Sequence, residues 1–82
     1  MQLTNIWLDI LFATDSGTGN GSSTEFVTTY DLKTSNTIWI TVNGLTRLLG
    51  IDYTIDLETN KVTFTTAPAT AQKIIIRYML KG

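Results

Sequence analysis

The segment Thr37-Ile-Trp-Ile-Thr-Val-Asn-Gly44 constrains the fold more than any other part of the chain. Ile38, Ile40 and Val42 alternate with Trp39 and Thr41, the period-2 pattern of a strand with one face turned to a core. Asn43 and Gly44 follow at once, and both tolerate positive φ, so the pair predicts a tight hairpin. A hairpin needs an antiparallel partner, and the rest of the chain offers several. Sixteen Thr, together with many Ile and Val, place two heavy atoms on Cβ, which suits a pleated sheet and crowds a helix.

Residues 4–14 read as a first strand with two apolar faces, Ile6, Leu8, Ile10 and Phe12 on one and Trp7 and Leu11 on the other. Residues 15–23 hold three Gly among small polar residues and read as a flexible loop. Glu25 to Tyr30 is the next strand and residues 31–36 a turn-rich connection. Leu45, Leu48 and Leu49 have the spacing of one helical turn. Gly44 and Gly50 close that segment too soon for a stable helix, so it is expected to be an irregular strand. Tyr53, Ile55 and Leu57 alternate with Thr54 and Asp56, and 58–61 turns the chain into Val62 and Phe64. Pro68 lacks the amide donor and is expected to end that pairing. Residues 73–80 form the last strand, again apolar on both faces, with Ile74, Ile76 and Tyr78 against Ile75 and Met79. Short strands joined by turns imply an all-β domain over residues 1–82, a small antiparallel β-sandwich or partly open barrel of about six to seven strands.

The composition narrows the function. Six basic and seven acidic residues give a net charge of −1, so no positive field exists to hold nucleic acid or an anionic membrane surface. No apolar run approaches the roughly 20 residues of a membrane span. The apolar stretch 5–13 lacks a basic leader and contains Asp9, unlike a signal peptide. The chain has no Cys and no His, which removes thiolate chemistry, the usual general base and the commonest metal ligands. A hydroxyl nucleophile would need a Lys base, and nothing places Lys33, Lys61, Lys73 or Lys81 for that role. Asp52 and Asp56 share a strand face about 13 Å apart, wider than a glycosidase carboxylate pair. Asp15, Asp31, Asp52 and Glu58 lack EF-hand spacing. Gly17-Thr-Gly-Asn-Gly21 lacks both the spacing and the Lys ending of a phosphate loop. The expectation is a protein without catalytic residues, metal or cofactor.

From residue 37 onward the order of motifs is specific: Ile-Trp-Ile-Thr-Val-Asn-Gly (38–44), Gly-Ile-Asp-Tyr-Thr-Ile (50–55), Val-Thr-Phe-Thr-Thr-Ala-Pro (62–68) and Lys-Ile-Ile-Ile-Arg-Tyr (73–78). This order resembles a β-module widespread in the virion proteins of tailed bacteriophages, and with the upstream Gly-rich loop and Glu25-Phe26-Val27 the likeness covers roughly residues 14–80. Such modules occur in tail-fibre, neck, baseplate and head-surface proteins, so the resemblance implies a virion part. Between Ala69 and Gln72 the family often has a Gly-Asp turn, where this chain reads Thr70-Ala71. The motif residues Asn43, Gly44, Gly50, Asp52, Tyr53 and Pro68 are read as scaffold. Asn43 and Gly44 make a turn, Gly50 relieves a corner, Asp52 bonds its own backbone at the bend, and Tyr53 packs at the sandwich edge.

The informative surplus is apolar. A half-exposed strand should show one polar face; the first and last strands do not, and Trp39 points opposite to Ile38 and Ile40. Trp7, Leu11, Trp39, Ile75 and Met79 are therefore the interface candidates, since aromatic residues and Met are enriched at interface centres. The expected role is a virion component that decorates or cements the capsid surface, bound to the major capsid protein and made in the bacterial cytoplasm. A homo-oligomer, such as a trimer on a symmetry axis, suits that position, and the chain reads as complete from Met1. The rivals are a head-to-tail, tail or baseplate component, and a glycan- or receptor-binding fibre module with Trp39, Tyr30 or Tyr53 as a stacking platform.

Overall fold

The computed structural model describes residues 12–80. Their seven strands are β1 (Phe12–Thr18), β2 (Glu25–Val27), β3 (Ile38–Val42), β4 (Leu45–Thr46), β5 (Tyr53–Asp56), β6 (Lys61–Phe64) and β7 (Lys73–Met79), with a 3₁₀ turn at Ser35–Thr37. They form two antiparallel sheets, here A in the order β1-β7-β3-β4 and B in the order β2-β6-β5. Of the two architectures expected, the sandwich is the one found.

Alternation decides which side chains fill the space between the sheets. Ile38, Ile40 and Val42 from β3 and Ile74, Ile76 and Tyr78 from β7 are buried against Tyr53, Val62 and Phe64 of sheet B, with Leu32 between. Each such side chain contributes about 1.5–3 kcal/mol by leaving water. On sheet B, Phe64 is the aromatic centre. It meets Phe26 edge-on at 5.5 Å between ring centroids and Tyr53 at 6.2 Å.

Local signals hold where the turn chemistry is local. Val42 pairs with Leu45 around Asn43 and Gly44, whose φ values of 54° and 84° are those of the two-residue hairpin the pair predicts. Gly50 has φ 84° at the bend, and Asp52 accepts a hydrogen bond there from Leu48 N at 2.8 Å. The 45–49 segment is the irregular strand expected: β4 is two residues long, and Leu49 bridges to Tyr53 alone.

Four expectations need correction. The 15–23 loop gives up its first residues to β1, where Asp15 to Thr18 pair with Ile76 to Lys73 of β7. Gly19 beyond it is wedged rather than free: a Cβ there would lie 2.7 Å from the Pro68 carbonyl and press on that of Ala69. Its N–H donates to Gln72 O, and Gly21 N to Pro68 O. The second strand stops at Val27, because beyond Thr28 the amides of Thr29 and Tyr30 go to the side chains of Asp15 and Tyr78 instead of to β6. β6 ends at Phe64, before Pro68 acts. Asp52 lies just outside β5, with its carboxylate turned back to Leu48 N instead of standing beside Asp56 on a strand face. The expected first strand, with Trp7 and Leu11, falls outside the described residues except for its end at 12–14.

Candidate docking face

Two outer surfaces result from the sandwich, and they differ in kind. On sheet A the registers place Met79 beside Phe12, Arg77 between Thr14 and Trp39, and Ile75 between Ser16 and Thr41. Trp39 is 52% exposed and Phe12 38%, with Ile75 and Met79 half-buried between the neighbouring strands. The interface candidates Trp39, Ile75 and Met79 thus share one face, joined by Phe12, with two cations on it, Arg77 between them and Lys73 at the start of β7. The candidates Trp7 and Leu11 lie outside the described residues.

Sheet B shows the ordinary alternative. Its outward residues are Thr54, Asp56, Lys61, Thr63, Glu25 and Val27, and Lys61 Nζ lies 3.3 Å from Glu25 Oε1 across β6 and β2. Apart from Val27, which is 66% exposed, this is the polar face that an antiparallel sheet shows to water.

The two sheets are fastened at the segment 28–32, which carries the chain from B to A. Tyr78 is fully buried on β7; its hydroxyl donates to Asp15 Oδ2 at 2.8 Å and accepts from Tyr30 N at 3.1 Å. Asp15 accepts two more bonds from Thr29, through its amide and its hydroxyl, both at 2.8 Å. Burial pushes the Asp15 carboxyl up, but the Thr29 amide, the Thr29 hydroxyl and Tyr78 together outweigh it and hold the group below the usual value. Burial, reinforced by the Asp15 charge, pushes the Tyr78 phenol up to about 12. From sheet B, Asn60 takes positive φ at the β5–β6 turn and grips the same segment. It accepts from Thr28 N and Leu32 N and donates to Asp31 Oδ1. Nothing local in the sequence pairs Asp15 with Tyr78, since they lie 63 residues apart.

Other candidates separate. Tyr53 is 3% exposed, so it offers no stacking platform, whereas Trp39 and Tyr30 stand in solvent. Burial first, then the Asp52 charge, raises the Tyr53 phenol above its ordinary value. Among the described residues no three carboxylates gather as metal ligands. Nor does any described helix have the length and apolarity to cross a membrane. A groove of about 410 Å³ opens between the 47–52 bend and the 65–72 connection, with Arg47, Ile51, Asp52, Phe64, Pro68 and Gln72 in its lining. No protein-family model matches the chain, and no curated protein matches it at a significant level.

Proposed function

We propose that the chain is a non-enzymatic structural component of a bacteriophage virion, a decoration or cement protein that lies on the capsid with the outer face of sheet A against the major capsid protein. The observation that carries the reading is the one-sidedness of the domain. Phe12, Trp39, Ile75 and Met79 gather on one sheet face, among Thr14, Ser16, Thr18, Thr41, Lys73 and Arg77, while the other has Val27 as its single apolar outward residue among Thr, Lys, Glu and Asp. A free-standing domain gains nothing from an exposed Trp flanked by Ile and Met; a docked one does. The resemblance of residues 14–80 to the phage virion module supports the setting, and the lack of His and Cys accords with a role that needs no chemistry. On a capsid, many weak identical contacts combine, so one modest apolar face per copy is enough.

Counting the protein in purified particles tests this. Decoration requires on the order of hundreds of copies spread over the head. A handful at a single vertex or on the tail would overturn it in favour of a head-to-tail, tail or baseplate part. Trp39→Ala separates docking from glycan recognition: it should release the protein from particles, whereas loss of host-cell binding with normal particle occupancy would support the fibre reading instead.

A further inference from the structure

The side of the sandwich where β4 and β5 run is left open. β4 pairs with β3 over two residues only, and no described strand follows β5 in sheet B. Leu45 lies directly opposite Val42 and so on the inner side of sheet A, yet Val42 is buried and Leu45 is 64% exposed. Leu48, Leu49 and Ile51 follow it into solvent, Ile51 at 67%, and Leu57 stands exposed just past β5. The bend that carries them is fixed by its own hydrogen bonds. Arg47 N donates to Ile40 O, Leu48 N to Asp52 Oδ2, Asp52 N to Leu48 O and Gly50 N to Tyr53 O.

The backbone beside these side chains is a template. Asp52 O accepts from Thr65 N on the β6 side, and Tyr53 O from Gly50 N on the other. Alternation along β5 therefore turns both the N–H and the C=O of Ile55 away from β6, off the edge of the sheet. An edge of this kind, with unpaired backbone and apolar flanks, accepts a further extended segment.

The chain carries such a segment ahead of β1, outside the described residues. Ile6, Leu8 and Ile10 form one alternate set, and Trp7, Asp9 and Leu11 the other. The first set is apolar throughout and suits the inner side of an added strand; the second, with its acid, suits the outside. Chain length decides whose edge it reaches. Gly17, Ile74, Val42 and Leu45 share one row across sheet A, so Leu45 is three strands across and five residues along from Phe12. Strand spacing and rise make that roughly 22 Å. Leu8 is four residues from Phe12, a reach of about 14 Å, and Ile10 has half of that. Within its own molecule the segment falls short, whereas a neighbouring copy sets no such limit.

We infer that residues 6–11 of one copy lie as an added strand along β5 of another, with Ile6, Leu8 and Ile10 against Leu45, Leu49 and Ile51. A reciprocal exchange closes a dimer, and a one-way exchange closes a ring. The outer face of sheet A stays uncovered, so the contact stands or falls independently of the docking reading.

The chain has no Cys, so Leu8→Cys supplies a single thiol for a benzophenone photocrosslinker. The labelled full-length chain is mixed with a large excess of isotopically heavy wild type and irradiated, and the joined peptides are identified by mass. Position 8 should join heavy peptides covering residues 45–57. Crosslinks within the light chain, crosslinks to β1, β3 or β7, or none between chains would each overturn the contact. Sedimentation velocity across a concentration series should find the wild type associating. Ile51→Asp should weaken association roughly tenfold or more by placing a charge in the contact, with thermal melting unchanged because the site is exposed. A wild type that stays monomeric, or an Ile51→Asp chain that associates normally, would overturn it. If Trp39→Ala abolishes association and Ile51→Asp does not, copies meet through sheet A and the β5 edge is not their site.

Discussion

The outer faces of sheets A and B come from the same backbone geometry and end with different chemistry, four large apolar residues on A against Val27 alone on B. On both, strand alternation sends every second residue outward. β6 sends Lys61 and Thr63, whereas β7 sends Lys73, Ile75, Arg77 and Met79. The difference does not come from core formation, because the inward residues of both strands are apolar and buried. It lies in the outward set alone, which the fold leaves free to vary. The apolar members of the sheet A set, Phe12, Trp39, Ile75 and Met79, are the basis of the docking proposal and set this face apart from sheet B.

The sharpest way to break the comparison is within β7 itself. Ile76→Ala empties a core position and should cost about 2–5 kcal/mol. Ile75→Ala, one residue away on the outward face, should cost less than about 1 kcal/mol while reducing attachment to particles. Urea denaturation of both variants, with occupancy measured in parallel, checks this. Equal stability losses would mean that Ile75 is core and that sheet A has no outer face.

The comparison also depends on the sheets being held in place, which rests on Asp15 and Tyr78. Asp15 is held below its ordinary pKa, so its contribution is complete above the unfolded value near about 4 and is lost as pH falls through the folded value. Tyr78 is raised to about 12, so its contribution is complete below its unfolded value near about 10 and is lost as pH rises from there toward the folded one. Asp15→Asn should cost about 1–3 kcal/mol at neutral pH and flatten the acid limb of the stability profile. Tyr78→Phe should flatten the alkaline limb. Denaturation midpoints measured across pH decide both, and an acid limb unchanged in Asp15→Asn would place the acid-sensitive group elsewhere.

Two smaller changes sharpen the contrast. Ala71 holds φ 70° in the 69–72 turn, where an L side chain costs about 1 kcal/mol. Ala71→Gly should therefore raise stability by up to about 1 kcal/mol, less what the looser unfolded chain takes back, readable as a higher melting midpoint. Lys61→Ala removes the exposed pair with Glu25 on sheet B and should change stability by less than about 1 kcal/mol, with no effect on particle attachment.

What the sequence made legible followed locality. Asn43-Gly44 and the 38–42 alternation specify their own geometry, and both are found as read. Trp39, Ile75 and Met79 stood out because they broke the alternation, and a break in a pattern needs no knowledge of distant residues. The end of β1 was hidden because Ser16-Gly17-Thr18 has the composition of a loop; pairing with β7, more than fifty positions on in the chain, makes it a strand. Asp15, Thr29, Asn60 and Tyr78 were missed for the same reason, since the fold alone brings them together. Tyr53 was read at the sandwich edge but is a core residue, 3% exposed, because Phe64 of the neighbouring strand packs against its ring.

The most direct measurement is the occupancy of Trp39→Ser on particles that lack the native protein. Purified wild-type and variant chains are added at equal concentration, and bound copies are counted after sedimentation. If the outer face of sheet A is the docking face, bound Trp39→Ser should fall roughly tenfold or more, with its melting midpoint kept near that of the wild type. Equal occupancy of the two chains would contradict it, and the apolar face of sheet A would then have no part in attachment.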